Sequence, residues 1–160
     1  MAFTAYASSI DPATIGVTPR NPLKRSLSRV LGNRSWEVAP ACRHVHTFLE
    51  DHGLSPQSLY ASDLVVEELV RNATLYAYDG VGAVRIDVEV GDQTVVFTFT
   101  DHGRAFDPTR HEKTAYAEPT TNLSDAPVGG LGLRLVRRAA ASIFYRRLAG
   151  ANRTVVVVAR

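Results

Sequence analysis

Glu68 and Asn72 stand four residues apart in the run Glu68-Leu69-Val70-Arg71-Asn72. On a helix this spacing puts both side chains on one face, about one turn apart. A carboxylate there can act as a general base or orient a water. A carboxamide oxygen is a hard ligand of the kind Mg2+ accepts. The plain alternative is a solvated helix face that happens to carry Glu and Asn. A second group, Asp101-His102-Gly103, closes a very apolar run and is followed by Phe106-Asp107-Pro108. An Asp at a strand end facing a pocket can accept a hydrogen bond from an exocyclic amine such as that of adenine, and Gly lets backbone approach a ring closely. Asp and Gly are also the residues of an ordinary turn. The third group is Gly129-Gly130-Leu131-Gly132-Leu133 at the start of a helical stretch. Free amides at a helix N-terminus, with no Cβ to obstruct them, bind phosphate. No Gly-Lys-Ser/Thr follows, so this is no Walker motif, and no strand precedes it as a Rossmann fingerprint requires. The alternative here is a structural glycine hinge.

These groups need elements to position them. Leu64, Val65, Leu69, Ala73 and Tyr76 recur at helical spacing, which predicts a helix from about Ser58 to Tyr76. Val84, Ile86, Val88 and Val90 alternate with polar residues, Gly91-Asp92 marks a hairpin turn, and Thr94–Thr100 continues as a strand. From Asp101 to Val128 periodicity fails, and a connection this long inside a small domain is usually functional or mobile. A helix over about Leu131–Ala141 follows, then a strand at Ser142–Leu148, a turn at Gly150–Asn152 and a final strand in T-V-V-V-V. Upstream, Pro40 precedes a helical pattern from Ala41 to Asp51, with Val45, Phe48 and Leu49 on one face. A strand is expected at Arg34–Val38. Residues 1–34 are expected to form a mostly irregular extension with a short helix around Leu23–Leu31. The order β-α-α-β-β-loop-α-β-β predicts an α+β fold, with helices collected on one face of a mixed or antiparallel sheet.

The chain has 160 residues, of which 45% are hydrophobic and 21% charged. That length suits one domain, and the composition excludes global disorder, collagen-like chains and coiled coils. Its single cysteine, Cys42, leaves no intramolecular disulfide and points to an intracellular, cytoplasmic chain. The longest purely apolar run, Val155–Ala159, is far shorter than the roughly 20 residues that cross a bilayer. The N-terminus lacks the layout of a signal peptide. The net charge of +2 hides an asymmetry: residues 1–34 carry net +4, residues 35–127 net −9, and residues 128–160 net +7 with no acidic residue. A basic tail suits an anionic partner, whether phosphate, nucleic acid or acidic protein.

Taken in order, the three groups resemble the boxes of the histidine-kinase-like (GHKL) ATPase superfamily. Glu68–Asn72 looks like its N box, Asp101–Gly103 its first glycine box and Gly130–Gly132 its second. Residues 105–128 look like its ATP lid, and Thr154 takes the place of its threonine near adenine. The resemblance covers residues 35–160 and implies a Bergerat-type two-layer α/β sandwich that binds ATP and Mg2+. The D-H-G-R-A-F-D-P and G-G-L-G-L-R-L-V stretches are similar to those of anti-sigma-factor serine/threonine kinases. In that family the domain stands nearly alone. It binds a sigma factor or phosphorylates a serine on a small STAS-domain antagonist, and its members form homodimers.

The resemblance assigns roles residue by residue. Glu68 would be the general base toward the substrate hydroxyl, and Asn72 would hold Mg2+ bridging the phosphates. Asp101 would read the adenine amine, with Gly103 against the ring and Phe106 beside the nucleotide. Gly129, Gly130, Leu131, Gly132 and Leu133 would form the phosphate-binding turn. The chain departs from some members at Val128, where an Arg would approach the γ-phosphate, and at Tyr76, where several have His. These departures keep open an alternative, a non-catalytic module that sequesters a partner.

Other chemistry-bearing residues carry less. His44 and His46, at i and i+2, do not share a helix face, so they form no metal pair. Cys42 reads as a packed apolar residue and Trp36 as core or interface. Arg134, Arg137 and Arg138 make one basic patch, which meets solvent, a phosphate or an acidic partner. No aromatic stacking platform accompanies it, so direct nucleic-acid binding is not expected.

Overall fold

The computed structural model describes residues 25–110 and 131–160. Their elements run β1 (Arg25–Gly32), α1 (Ser35–Asp51), α2 (Pro56–Tyr76), β2 (Ala83–Val90), β3 (Thr94–Asp101), α3 (Leu131–Ala139), β4 (Ser142–Leu148) and β5 (Ala151–Ala159). The strands form one sheet in the order β1-β2-β3-β5-β4, with every neighbouring pair antiparallel. The expected α+β sandwich is therefore present, with the antiparallel of the two sheet types anticipated.

Period-2 alternation explains the inner face. Val84, Ile86, Val88 and Val90 on β2 pair across the ladder with Asp101, Phe99, Phe97 and Val95 on β3. Phe97, Ile86 and Val88 are fully buried. On β5, Val156 and Val158 continue this face beyond Phe97 and Val95. The helices cover it with Val45 and Leu49 from α1, Val65, Leu69 and Val70 from α2, and Leu133 and Val136 from α3. Burying each such side chain stabilises the fold by roughly 1.5–3 kcal/mol, so this apolar layer is the main support of everything built at its rim. α2 starts where Pro56 follows the cap residue Ser55, whose side chain accepts the Ser58 amide at 3.2 Å.

The first third of the chain departs from expectation. Residues 25–32 form an edge strand against β2, not a helix. Residues 35–38, expected as a strand, are the first turn of α1, and Pro40 lies inside that helix. Trp36, expected in a core or interface, is 65% exposed and so lies outside the core, with the Arg34 guanidinium 5.1 Å from its ring centre. The reversal between β1 and α1 is held by side chains. The Gly32 amide donates to the Glu37 carboxylate at 2.7 Å, while Asn33 donates to Gly80 O and accepts from the Gly82 amide. Asn152, expected in a turn, belongs to β5. The reversal is made at Ala149 and Gly150, both with positive φ. Residues 105–110 are described, but the rest of the expected lid, with Gly129 and Gly130, lies outside the described residues, as do residues 1–24.

Candidate functional site

A cavity of about 300 Å3 opens where the C-terminal half of α2 meets the ends of β3 and β5 and the start of α3. Asn72, Asp101, Phe106, Leu133 and Thr154 all line it, so residues up to 82 positions apart in sequence converge there. Its walls are mainly apolar, with Leu69, Ala73, Tyr76 and Phe99 added to Phe106 and Leu133. A mostly apolar cleft with a few convergent polar groups is the usual form of a small-molecule site.

Each polar group is oriented by its backbone setting. The Asn72 amide nitrogen donates to the Glu68 carbonyl one turn back at 2.7 Å. That leaves the carboxamide oxygen as the free end, a hard donor suited to Mg2+. Among the described residues no cluster of three or more His, Cys, Asp or Glu is assembled to hold a metal. Mg2+ keeps several waters and takes few protein oxygens beside substrate phosphates, so the Asn72 oxygen is of a kind that could supply one of them.

Asp101 is held from one side only. Its Oδ1 accepts from the Gly103 amide at 2.9 Å and from the Asn152 side-chain nitrogen at 2.9 Å. With Oδ1 engaged, Oδ2 is the oxygen left to accept from a ligand. Asn152 is only 3% exposed and is itself locked. It donates to Arg104 O at 2.7 Å and accepts from the Tyr145 hydroxyl at 2.8 Å and from Arg147 at 2.7 Å. Arg147 also donates to Gly103 O at 2.9 Å. Asn152, Tyr145 and Arg147 escaped the sequence reading, since Ala-Gly-Ala-Asn has turn composition. Only the register that places Asp101 opposite Asn152, and Thr154 opposite both Phe99 and Tyr145, brings them to the site.

The glycines divide. A Cβ on Gly103 would run into the Ala77 carbonyl at the end of α2, and Gly103 does not line the cavity. Its missing side chain therefore serves the approach of the Asp101 turn to α2, with the Arg104 amide donating to Ala77 O at 2.8 Å. The resemblance places Gly103 against a bound ring; in the structure it packs on Ala77, outside the cavity lining. A Cβ on Gly132 would overlap the Glu68 carboxylate. Glu68 therefore sits against the first turn of α3, outside the cavity lining, while Asn72, one turn on, faces the cavity. Leu131 opens α3.

The remaining candidates sit elsewhere. His46 bridges α1 and α2 through Asp63 at 2.9 Å, and this bond raises its pKa. Burial pushes the Cys42 thiol up to about 11, which suits a packed, unreactive side chain. Arg137 donates to Pro108 O at 3.0 Å, tying α3 to the segment after Phe106, so it does not belong wholly to the solvent-facing patch.

A family model described as a histidine kinase-like ATPase domain matches residues 33–160. The chain belongs to that family. No curated protein gives a significant match. Among solved structures, this histidine kinase-like ATPase domain is similar to the RsbU and RsbW domains of Rv1364c from Mycobacterium tuberculosis, with a TM-score of 0.54 and 16% identity. The match covers 84% of this chain and 33% of that one, and at this identity it supports the fold alone. No helix among the described residues is long and apolar enough to cross a membrane.

Proposed function

We propose that this histidine kinase-like ATPase domain binds ATP with Mg2+ in the cavity and acts as an anti-sigma-type regulator that phosphorylates a serine or threonine of a STAS-domain antagonist. The observation that carries this reading is the convergence of Asn72, Asp101 and Thr154 on one apolar cavity, with the Glu68 carboxylate one helical turn away. The free Oδ2 of Asp101 accepts the adenine amine, and Phe106, Tyr76 and Leu133 shield the ring from water. The Asn72 carboxamide oxygen holds Mg2+, which neutralises phosphate charge when bound. The amides of Gly129, Gly130, Leu131 and Gly132, with Leu133 beyond them, receive the phosphates at the start of α3. Glu68, beside that turn, takes the proton of the acceptor hydroxyl as the phosphoryl group moves to its oxygen, and ADP leaves. Phosphoryl transfer depends on positioning and charge neutralisation, which these groups supply. The partners are a sigma factor, the STAS-domain protein and a second copy of the chain, in the cytoplasm.

Calorimetry with ATP and ADP, followed by phosphate transfer to a co-encoded STAS-domain protein, tests this. Glu68→Gln is expected to abolish transfer while keeping nucleotide, and Asn72→Ala to weaken Mg-ATP binding. Equal loss of binding in both variants contradicts the division of roles. Tight ATP binding without transfer favours the alternative motivated by Val128 and Tyr76, a non-catalytic module that sequesters its partner.

A further inference from the structure

A second cleft, of about 290 Å3, runs beside β4 and over the hairpin it forms with β5. It is lined by Thr109, Phe144, Arg146, Arg153 and Val155, among others. Nucleotide chemistry uses none of these residues.

Its charge arrangement is unusual. Arg146 and Arg153 are directly opposite across the β4–β5 ladder. Like charges so placed destabilise a sheet unless something neutralises them. The ion pairs of the described residues engage neither arginine. Arg85, further along the same outer face through Thr100, already holds Asp87 at 2.9 Å. The Nε of Arg153 is buried with no hydrogen-bond partner. Buried donors in native proteins almost always have partners, so this orphan marks a guanidinium whose bonding is incomplete among the described residues. The apolar neighbours Phe144 and Val155 give the cleft a hydrophobic wall beside the two cations. β4 is also the last strand of the sheet, and among the described residues nothing pairs with its other edge.

We propose that this cleft docks an extended acidic segment of a partner protein. The segment lies alongside β4 as an added strand, with a carboxylate between Arg146 and Arg153 and an apolar side chain against Phe144. Strand addition takes affinity from main-chain hydrogen bonds and specificity from alternate side chains. A second copy of this chain is the wrong occupant. The opposite sheet edge, β1, carries Arg25 and Arg29, and β4 itself carries Arg146 and Arg147, so either edge brings positive charge to positive charge. A nucleic acid would use the arginines but leave the apolar wall idle. The site stands apart from the ATP reading and survives its failure.

Fluorescence anisotropy with a labelled peptide alternating Glu and Val, at low salt, tests the proposal. The full chain is expected to bind it, and the matching Gln/Val peptide to bind at least about tenfold more weakly. Arg146→Glu should weaken binding by about tenfold or more, Arg153→Gln by a smaller factor, and Arg146→Lys by no more than about threefold. Arg138→Glu, an exposed change on α3, should leave binding within about twofold, which separates a built site from general attraction. Wild-type protein that fails to bind the peptide, or Arg146→Glu protein that binds it as well as wild type, overturns the proposal. So does an equal loss in Arg138→Glu, or displacement of the peptide by inorganic phosphate or a single-stranded oligonucleotide.

Discussion

Replacing Asn152 by Leu keeps the side-chain size and removes every polar contact it makes. Four hydrogen bonds go: to Asp101 Oδ1, to Arg104 O, and from Tyr145 and Arg147. Asp101 Oδ1 keeps the Gly103 amide and Arg147 keeps Gly103 O. The Tyr145 hydroxyl and the Arg104 carbonyl keep no partner among these contacts. A buried polar group left unsatisfied costs about 1–3 kcal/mol, less where water reaches it. Both groups lie in half-buried or exposed residues, so a net loss of about 3 kcal/mol is expected for Asn152→Leu. With a urea slope of about 2 kcal/mol/M the unfolding midpoint falls by about 1.5 M. Asp101 also loses one of the two contacts that commit Oδ1, so its carboxylate is held less firmly. If Asp101 reads adenine, the preference for ATP over GTP should narrow by about tenfold, the equivalent of one charged hydrogen bond. Urea unfolding and competitive nucleotide titration measure the two effects separately. A midpoint within about 0.5 M of wild type refutes the energetic reasoning. A destabilised variant with an unchanged ATP/GTP ratio refutes the orienting role.

Gly103→Ala places a Cβ against the Ala77 backbone carbonyl, where relief requires backbone movement. Thermal unfolding should show a loss of about 1–3 kcal/mol, and an unchanged melting temperature would contradict the close approach. Gly132→Ala pushes against the Glu68 carboxylate, so phosphate transfer should fall more than ATP affinity, as kinetics and calorimetry on the same preparation can show. A fall in affinity alone would make Gly132 a phosphate-cradle residue and nothing more. The His46 pKa is raised above 6.5, chiefly by its hydrogen bond to Asp63. That bond stabilises the fold fully below the unfolded value and loses its effect as pH rises through the raised one. The stability gap between wild type and His46→Gln should therefore be larger at pH 5.5 than at pH 8, and below about 1 kcal/mol because the pair is solvent-screened. A gap independent of pH would rule out the charged pair.

The parts of the fold legible in the sequence are those whose pattern is local. The α2 helix, the β2–β3 hairpin and α3 each bury one face against the same core, so their apolar periods show in the residues themselves. β1 does not behave this way. In R-S-L-S-R-V-L-G only Leu31 is buried, because an edge strand half open to solvent has little need of apolar alternation. Its partner β2 lies more than 50 residues downstream, and that pairing decides its conformation. The start of α1 was masked by Pro40, which reads as a first-turn residue yet lies inside the helix.

The candidate site divides along the same line. Residue types alone marked Glu68 with Asn72, Asp101 with Gly103, and the glycines before α3, because a carboxylate, a carboxamide and bare amides carry their chemistry wherever they stand. Spacing also placed Glu68 and Asn72 on one helix face. Tertiary structure decided what each of them meets. The β3–β5 register set Asn152 against Asp101, and helix packing set Gly103 on Ala77 and Gly132 on Glu68. The arginine pair of the second cleft exists only through the β4–β5 ladder. Hydrogen bonds and close contacts depend on distances of a few ångströms between segments far apart in the chain, and one-dimensional spacing does not encode those distances.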